Sequence, residues 1–360
     1  MNTSHLISPL AAFLITYILI PVLRKVAIRI QLVDKPNQRK VHSSAVPLVG
    51  GISIFLATVL VLGLSLSFET VIVANINLVV ATAILLIMGI IDDRFDLRAS
   101  LKLAVQLLLA HYVFMQGIKI ESLHGLFGIY DLDTWLQYLL TITVITGVVN
   151  AFNLMDGIDG LAAGLAILGF VVLTALAALL AQYTLALVFT SLIGSLLAFL
   201  KFNLGKDQKI FMGDAGSLML GFIIVVSSIY LIQSATGTIK ITLTTLSVIA
   251  IMFVPVIDAL RVFRRRAKSG KSPFSADKTH LHHLIISSGL RHKRAALLIV
   301  TIITGMMSVA LSIYHIVGIT ISFVILLLIF LFITEILSFN DKLNSWKSKI
   351  RKMESGFEEI

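Results

Sequence analysis

Eleven apolar stretches, each near the twenty or so residues an α-helix needs to cross about 30 Å of hydrocarbon, take up most of this 360-residue chain. They run near 5–23, 47–67, 71–91, 99–116, 134–152, 161–180, 184–201, 216–232, 242–260, 295–314 and 317–337. Little is left from which to build a water-soluble domain. The stretches lack the ten-residue alternation of outer-membrane barrel strands. The chain therefore reads as an all-α polytopic membrane protein of about eleven transmembrane helices, organised as a single integral domain over 1–360. Charge agrees with this reading. Only 13% of residues are charged and mean hydropathy is +0.99, whereas soluble domains run near roughly 25% charged. The apolar content excludes disorder. The absence of cysteine excludes a disulfide scaffold, a cysteine metal site and a thiol nucleophile.

Eleven spans put the termini on opposite sides, and the basic residues say which is which. Of the 29 Lys and Arg, 27 fall in 24–46, 92–102, 201–215, 261–294 and the tail after 338, leaving Lys119 and Lys240 on the other face. The positive-inside rule places the 27 in the cytoplasm, with the N-terminus outside and the C-terminus, including the tail 338–360, inside. The first segment runs on into the fold without a small-residue cleavage site, so it is expected to be a span and not a cleaved signal peptide. Of the 19 acids, 15 share the cytoplasmic face, many at helix ends. Ionisable groups at such depths are costly and mark function, so the working surface is expected to be cytoplasmic.

Five polar clusters lie on that face. Asp92-Asp93 closes the third span in "GIIDDRFDLRAS". Adjacent carboxylates repel unless a cation or proton sits between them. A charged helix end held by Arg94 and Arg98 is the plain alternative, and a divalent metal or phosphate site explains the pair better. In "NAFNLMDGIDGLAAG", Asn150, Asn153, Asp156 and Asp159 recur every third residue and so predict one polar ridge on a helix. Gly157 and Gly160 are expected to leave the backbone open to a ligand. In "FMGDAGSLMLGF", Asp214 opens a helix, where it can cap the helix or join a metal–phosphate site; Asn203 adds an amide at the same surface. The long cytoplasmic loop 261–294 carries a basic run that includes Arg266, then His280, His282 and His283. Three histidines in four residues suit zinc or contacts to phosphate and sugar. With hard oxygen donors nearby and no cysteine, phosphate or sugar is favoured. The segment 34–51 brings Arg39, Lys40 and His42 ahead of a Pro and Gly-Gly re-entry into the membrane. Asp258 is expected to pair with Arg261 or Arg264.

Carboxylates with amide oxygens suit Mg²⁺, which takes few protein ligands plus phosphate oxygens, and the basic groups suit phosphates. Neither a Walker loop nor a dinucleotide fingerprint is present. The chemistry implied is phosphoryl transfer between a water-soluble phosphate ester and a lipid phosphate. An anion transporter is the main rival from another class. It would place its site at the midplane of broken helices and show repeats; here the acids cluster at cytoplasmic ends and no repeat is visible. A CDP-alcohol phosphatidyltransferase would need Ala-Arg after its Asp-Gly, where Asp156-Gly157 is followed by Ile-Asp-Gly.

The segments "DKPNQRKVH", "DDRFD", "NAFNLMDGIDGLAAG", "FMGDAGS" and "SPFSADKTHLHH" together resemble those of the bacterial polyprenyl-phosphate N-acetylhexosamine-1-phosphate transferases, in order from about Val33 to Leu284. The resemblance is closest to the branch that uses UDP-N-acetylglucosamine to start O-antigen, common-antigen or teichoic-acid linkage synthesis. It departs from the peptidoglycan branch, which has three consecutive histidines where this chain has His280-Leu281-His282-His283, and Lys or Asn where this chain has Asp96. The resemblance implies eleven helices in the bacterial inner membrane, an outside N-terminus and a cytoplasmic active site. It implies that UDP-GlcNAc and undecaprenyl phosphate give undecaprenyl-diphospho-GlcNAc and UMP with Mg²⁺; another UDP-N-acetylhexosamine stays open. The partners implied are the two substrates and membrane lipid. No nucleic acid is expected, and a homodimer is left open. Asn153 and Asp214 would hold the metal. Asp92 and Asp93 would sit where the lipid phosphate meets it. Asp156 and Asp159 would orient the reacting groups or act as base or nucleophile. Lys40, Asn203, Arg266, His280, His282 and His283 would bind substrate.

Overall fold

The computed structural model describes residues 4–34, 45–64, 68–270 and 279–357. Its helices are α1 (Ser4–Arg29), α2 (Gly50–Leu64), α3 (Phe68–Phe95), α4 (Ala99–Met115), α5 (Thr134–Leu154), α6 (Leu161–Leu179), α7 (Tyr183–Asn203), α8 (Gly213–Ser234), α9 (Thr238–Lys268), α10 (Leu281–Ser287) and α11 (His292–Phe357). Eight are long and apolar enough to cross a membrane, and α2 and α4 are shorter apolar helices. Each of the eleven apolar stretches is helical over most of its length. Large side chains such as Ile18, Leu64 and Ile316 stand exposed around the bundle. That suits lipid and would be a liability in water. The chain is a multi-pass membrane protein.

Helix α11 has 66 residues, which at 1.5 Å per residue would make a rod of about 100 Å. It is not one rod. Gly318 (φ 77, ψ 172) breaks it, and the two arms fold back on each other. Near the break, the Thr320 hydroxyl accepts the Phe127 N–H at 2.8 Å, in the segment joining α4 to α5. Twenty residues further on, the Asn340 amide donates to the Ser288 hydroxyl at 3.2 Å, beside the start of the helix. The single helix thus accounts for the last two apolar stretches.

Helix α8 is enclosed by α2, α3, α5, α6 and α9. Close approach at its first turn depends on small residues. A Cβ on Gly51 would fall on the backbone of Gly216, and one on Gly89 on the backbone of Ala215. The ends of α2 and α3 are therefore held against the N-terminus of α8, and this contact sets the site. Two short strands, β1 (Val33–Asp34) and β2 (Val46–Pro47), pair antiparallel. They close the segment 35–44, which with Lys40 lies outside the described residues. The base of that segment is tied to the residues leading into α8. Phe211 N–H donates to the Pro47 carbonyl at 2.9 Å, and Gly50 and Gly51 N–H donate to the carbonyls of Phe211 and Met212 at 3.0 and 3.1 Å.

The structure redraws two expectations. The four-residue ridge from Asn150 to Asp159 is not on one helix: α5 ends at Leu154, and Asp156 and Asp159 belong to the turn before α6. The stretch 261–294 is not simply a loop, because α9 runs on to Lys268, α10 forms within it and α11 starts at His292. The tail after Ser338, expected as a solvated or lipid-facing helix end, continues α11 as helix to Phe357.

Candidate active site

The end of α3, the start of α4, the end of α5, the start of α8, the lower part of α9 and all of α10 meet at one end of the bundle, the end richest in Lys and Arg. Asp93 serves as the cap of another helix. Its Oδ1 accepts the Asp214 N–H at 2.9 Å and its Oδ2 the Ala215 N–H at 3.3 Å. Met212, at the N-cap position of α8, makes no side-chain cap bond, so a carboxylate from α3 satisfies donors that would otherwise be orphaned. Gly213 holds φ +73, and a Cβ there would run into the Asp93 carboxylate. The glycine is required both for the turn and for the cap.

Asp92 is buried. Its Oδ1 accepts the Leu97 N–H at 2.8 Å and its Oδ2 takes the Lys102 ammonium at 2.7 Å. Lys102 also stands 3.6 Å from Asp214 Oδ2. It joins the candidate site through these contacts, and sequence reasoning missed it. The Asn153 amide donates to Asp214 Oδ1 and to the Ser217 hydroxyl, both at 2.9 Å, so the two expected metal ligands are in direct contact. One turn deeper, the Asn150 amide donates to Gln106 and to the Thr146 carbonyl, away from Asp214.

Asp156 is different from the other acids. Among the described residues its carboxylate takes no hydrogen bond and no ion pair. Burial, and then the charges of Asp214, Asp93 and Asp159, push it well above the usual carboxylate range. Asp159 behaves oppositely. Burial pushes it up, but hydrogen bonds from His292 and Lys209 outweigh that and hold it below the usual range. Lys209 Nζ lies 2.7 Å and His292 Nδ1 3.5 Å from Asp159 Oδ2. Asn203 braces the same turn: its Oδ1 accepts the Gly160 N–H at 2.7 Å and its amide donates to the Ile210 carbonyl at 3.0 Å. Both ends of this buried amide are engaged within the protein.

The histidines close the site from α10. His280 and His282 stack with ring planes 6° apart and centroids 5.7 Å apart, and His283 lies 4.2 Å from His282. Arg266, buried, approaches His280 Nε2 at 3.5 Å. The His282 ring covers Gly157, where an added Cβ would come within 2.5 Å of Nε2. Gly157 itself stays exposed, as expected of a backbone left open to a ligand, with His282 occupying only the side where a Cβ would stand. Burial, and then its two histidine neighbours, push His282 down to about 3, so it is a neutral ring at pH 7. Its buried Nδ1 finds no partner among the described residues, which leaves a hydrogen-bonding position for a bound molecule. Gly157→Val is expected to displace this ring and lower turnover at least about tenfold, with overpacking costing about 1–3 kcal/mol. Initial rates alongside unfolding midpoints check it; a wild-type rate would show that the ring contact is idle.

Residues 75–232 match glycosyl transferase family 4. The chain is 35% identical over 295 residues to the undecaprenyl-phosphate alpha-N-acetylglucosaminyl 1-phosphate transferase of Salmonella typhi, covering 81% of this chain and 78% of that one. The Escherichia coli K12 protein of the same name is 33% identical with the same coverage. That of Haemophilus influenzae is 35% identical over 300 residues, 82% of each chain. Agreement at a third of all positions over about four-fifths of both partners is family membership: the chain belongs to glycosyl transferase family 4.

Proposed function

We propose that this protein transfers GlcNAc-1-phosphate from UDP-GlcNAc to undecaprenyl phosphate at the cytoplasmic face of the bacterial inner membrane, giving undecaprenyl-diphospho-GlcNAc and UMP. The observation that carries the reading is the unpartnered Asp156 carboxylate set among the charges of Asp214, Asp93 and Asp159, with the His282 ring against the neighbouring Gly157. The names of the relatives support the lipid acceptor and the sugar. An oxygen of the lipid phosphate attacks the phosphorus that bears the sugar. A new P–O–P bond forms as the old one breaks, and the electron pair leaves on UMP.

Asp92, Asp93, Asp156 and Asp214 crowd together with Lys102 set between two of them. Such a crowd fits a hard divalent cation. Among the described residues no three His or acidic side chains form a closed cage. Mg²⁺ does not need one, because it keeps waters and substrate phosphates as ligands. Asp214 and Asn153 would hold the ion, and their side chains already touch at 2.9 Å. When bound it would neutralise diphosphate charge and stabilise the leaving UMP. The lipid phosphate, with a second pKa near about 6, is mostly ionised at pH 7 and needs no strong base. Asp156 is then free to orient the reacting groups. Asp159 shapes its turn through Lys209 and His292. Arg266, His280, His282 and His283 meet the diphosphate or sugar, and Phe211 is bonded to Pro47, just after the segment that bears Lys40.

Purified protein incubated with labelled UDP-GlcNAc, undecaprenyl phosphate and Mg²⁺ should yield UMP and a lipid-linked sugar in equal amounts. No product with any UDP-N-acetylhexosamine would sink the reading. Asp214→Asn should lose both turnover and the response to added Mg²⁺; an unaltered Mg²⁺ titration in that variant would remove the metal assignment.

A further inference from the structure

Asp258 lies on α9 with no exposed surface. A carboxylate taken wholly out of water costs several kcal/mol unless it is paired and hydrogen-bonded. Arg261, one turn on, supplies part of the pairing, with Nη2 at 2.7 Å and Nε at 3.3 Å from Oδ1. A structural ion pair within one helix would need nothing more. Yet Asp258 also accepts His280 Nδ1–H at 2.8 Å and the Leu281 N–H at 3.1 and 3.2 Å. These partners lie 22 and 23 residues away in sequence. Arg261 turns to the same place and donates to the Thr279 carbonyl.

Resting on the reaction assigned above, we propose that Asp258 is a positioning residue that acts through His280. Three contacts carry the inference. With Nδ1–H given to Asp258, Nε2 is the nitrogen left to face Arg266 and the site, so the carboxylate selects both tautomer and ring orientation. His280 makes no side-chain cap to α10; Asp258 accepts the first N–H of that helix instead, which docks the histidine-bearing helix on α9. The oriented His280 ring then stacks on His282, which covers Gly157 next to the free Asp156. An acid on α9 thereby fixes the roof over the turn between α5 and α6.

The test is a double-mutant cycle on the full-length protein in detergent, with UDP-GlcNAc and undecaprenyl phosphate as substrates. Asp258→Asn keeps the volume and can still accept the Leu281 N–H, but loses the charge. It should lower kcat about 10–100-fold with KM changed less than about threefold, as loss of an outer partner of a working histidine does. Made in the His280→Ala background, the same substitution should cost no further turnover. Equal losses in both backgrounds would make Asp258 merely structural and overturn the proposal, as would a wild-type kcat in Asp258→Asn. If that variant does not accumulate folded, Asp258→Glu, which keeps the charge but moves it by one methylene, is put through the same cycle with the same criteria. Imidazole ¹⁵N shifts of histidine-labelled protein give a readout that needs no turnover. His280 should be protonated on Nδ1 in the wild type and lose that preference in Asp258→Asn; a wild-type His280 protonated on Nε2 would refute the pairing. Absence of any transfer by the wild type would sink the reaction assignment alone, leaving the tautomer measurement to decide the pairing.

Discussion

Asp156→Asn is expected to lower kcat/KM at least about a hundredfold, while in Mg²⁺-free buffer its unfolding midpoint stays level or rises. The opposite signs follow from the geometry. Asp92 holds the Leu97 N–H and Lys102, Asp93 caps α8, Asp159 holds Lys209 and His292, and Asp258 holds Arg261, His280 and Leu281. Removing any of these charges disturbs folding as well as chemistry. Asp156 has no such partner among the described residues and faces the charges of Asp214, Asp93 and Asp159. Neutralising it relieves repulsion and breaks no bond, so stability has nothing to lose. The pattern is that of a group strained for use. Initial rates and thermal midpoints, measured in one detergent, check both halves. An unimpaired rate would remove Asp156 from the reaction, and a clearly lower midpoint would reveal a structural partner.

The sequence was most informative where one-dimensional patterns decide the outcome. Apolar run length located the helices, and the Lys and Arg distribution pointed to the end where the acids gather. It was least informative where contacts cross between helices. Asp214 could be read as the cap of its own helix or as part of a metal–phosphate site; the cap comes from Asp93, 121 residues away. Asp258 was expected to pair with Arg261 or Arg264 and pairs with Arg261; its bond to His280 could not be read from local spacing. The three-residue spacing from Asn150 to Asp159 misled because it presumed a continuous helix. The chain leaves helix after Leu154 and turns through Gly157 and Gly160, and that turn sets Asp156 among the charges of Asp214, Asp93 and Asp159. Lys102 was counted only as a topology signal. Nothing in "LRASLKL" says that its ammonium folds back onto Asp92.

Lys102→Met is expected to destabilise the protein by about 2 kcal/mol, between the roughly 3–5 for breaking a fully buried pair and the roughly 0–1 for a surface pair. The intermediate value reflects the geometry: the Asp92 side chain is 3% exposed, while that of Lys102 is 26% exposed and partly screened by water. Without the ammonium, Asp92 keeps the Leu97 N–H and its hydrogen bond with the Asp214 carboxyl, with no cation beside the two acids. The second substitution tests this cause. Asp92→Asn in the Lys102→Met background presents a neutral amide whose oxygen still accepts the Leu97 N–H, so at least half of the lost stability should return. Denaturant midpoints of the wild type, the single variant and the double variant measure it; no recovery in the double variant would show that Lys102 stabilises by packing its stem and not by its charge. Turnover should not return with stability. The same ammonium stands 3.6 Å from Asp214, on the side where the diphosphate would lie, and an asparagine at 92 replaces nothing there. A double variant that is stable and still slow would therefore separate the two duties of Lys102, holding the end of α3 and placing positive charge beside the transferred phosphate.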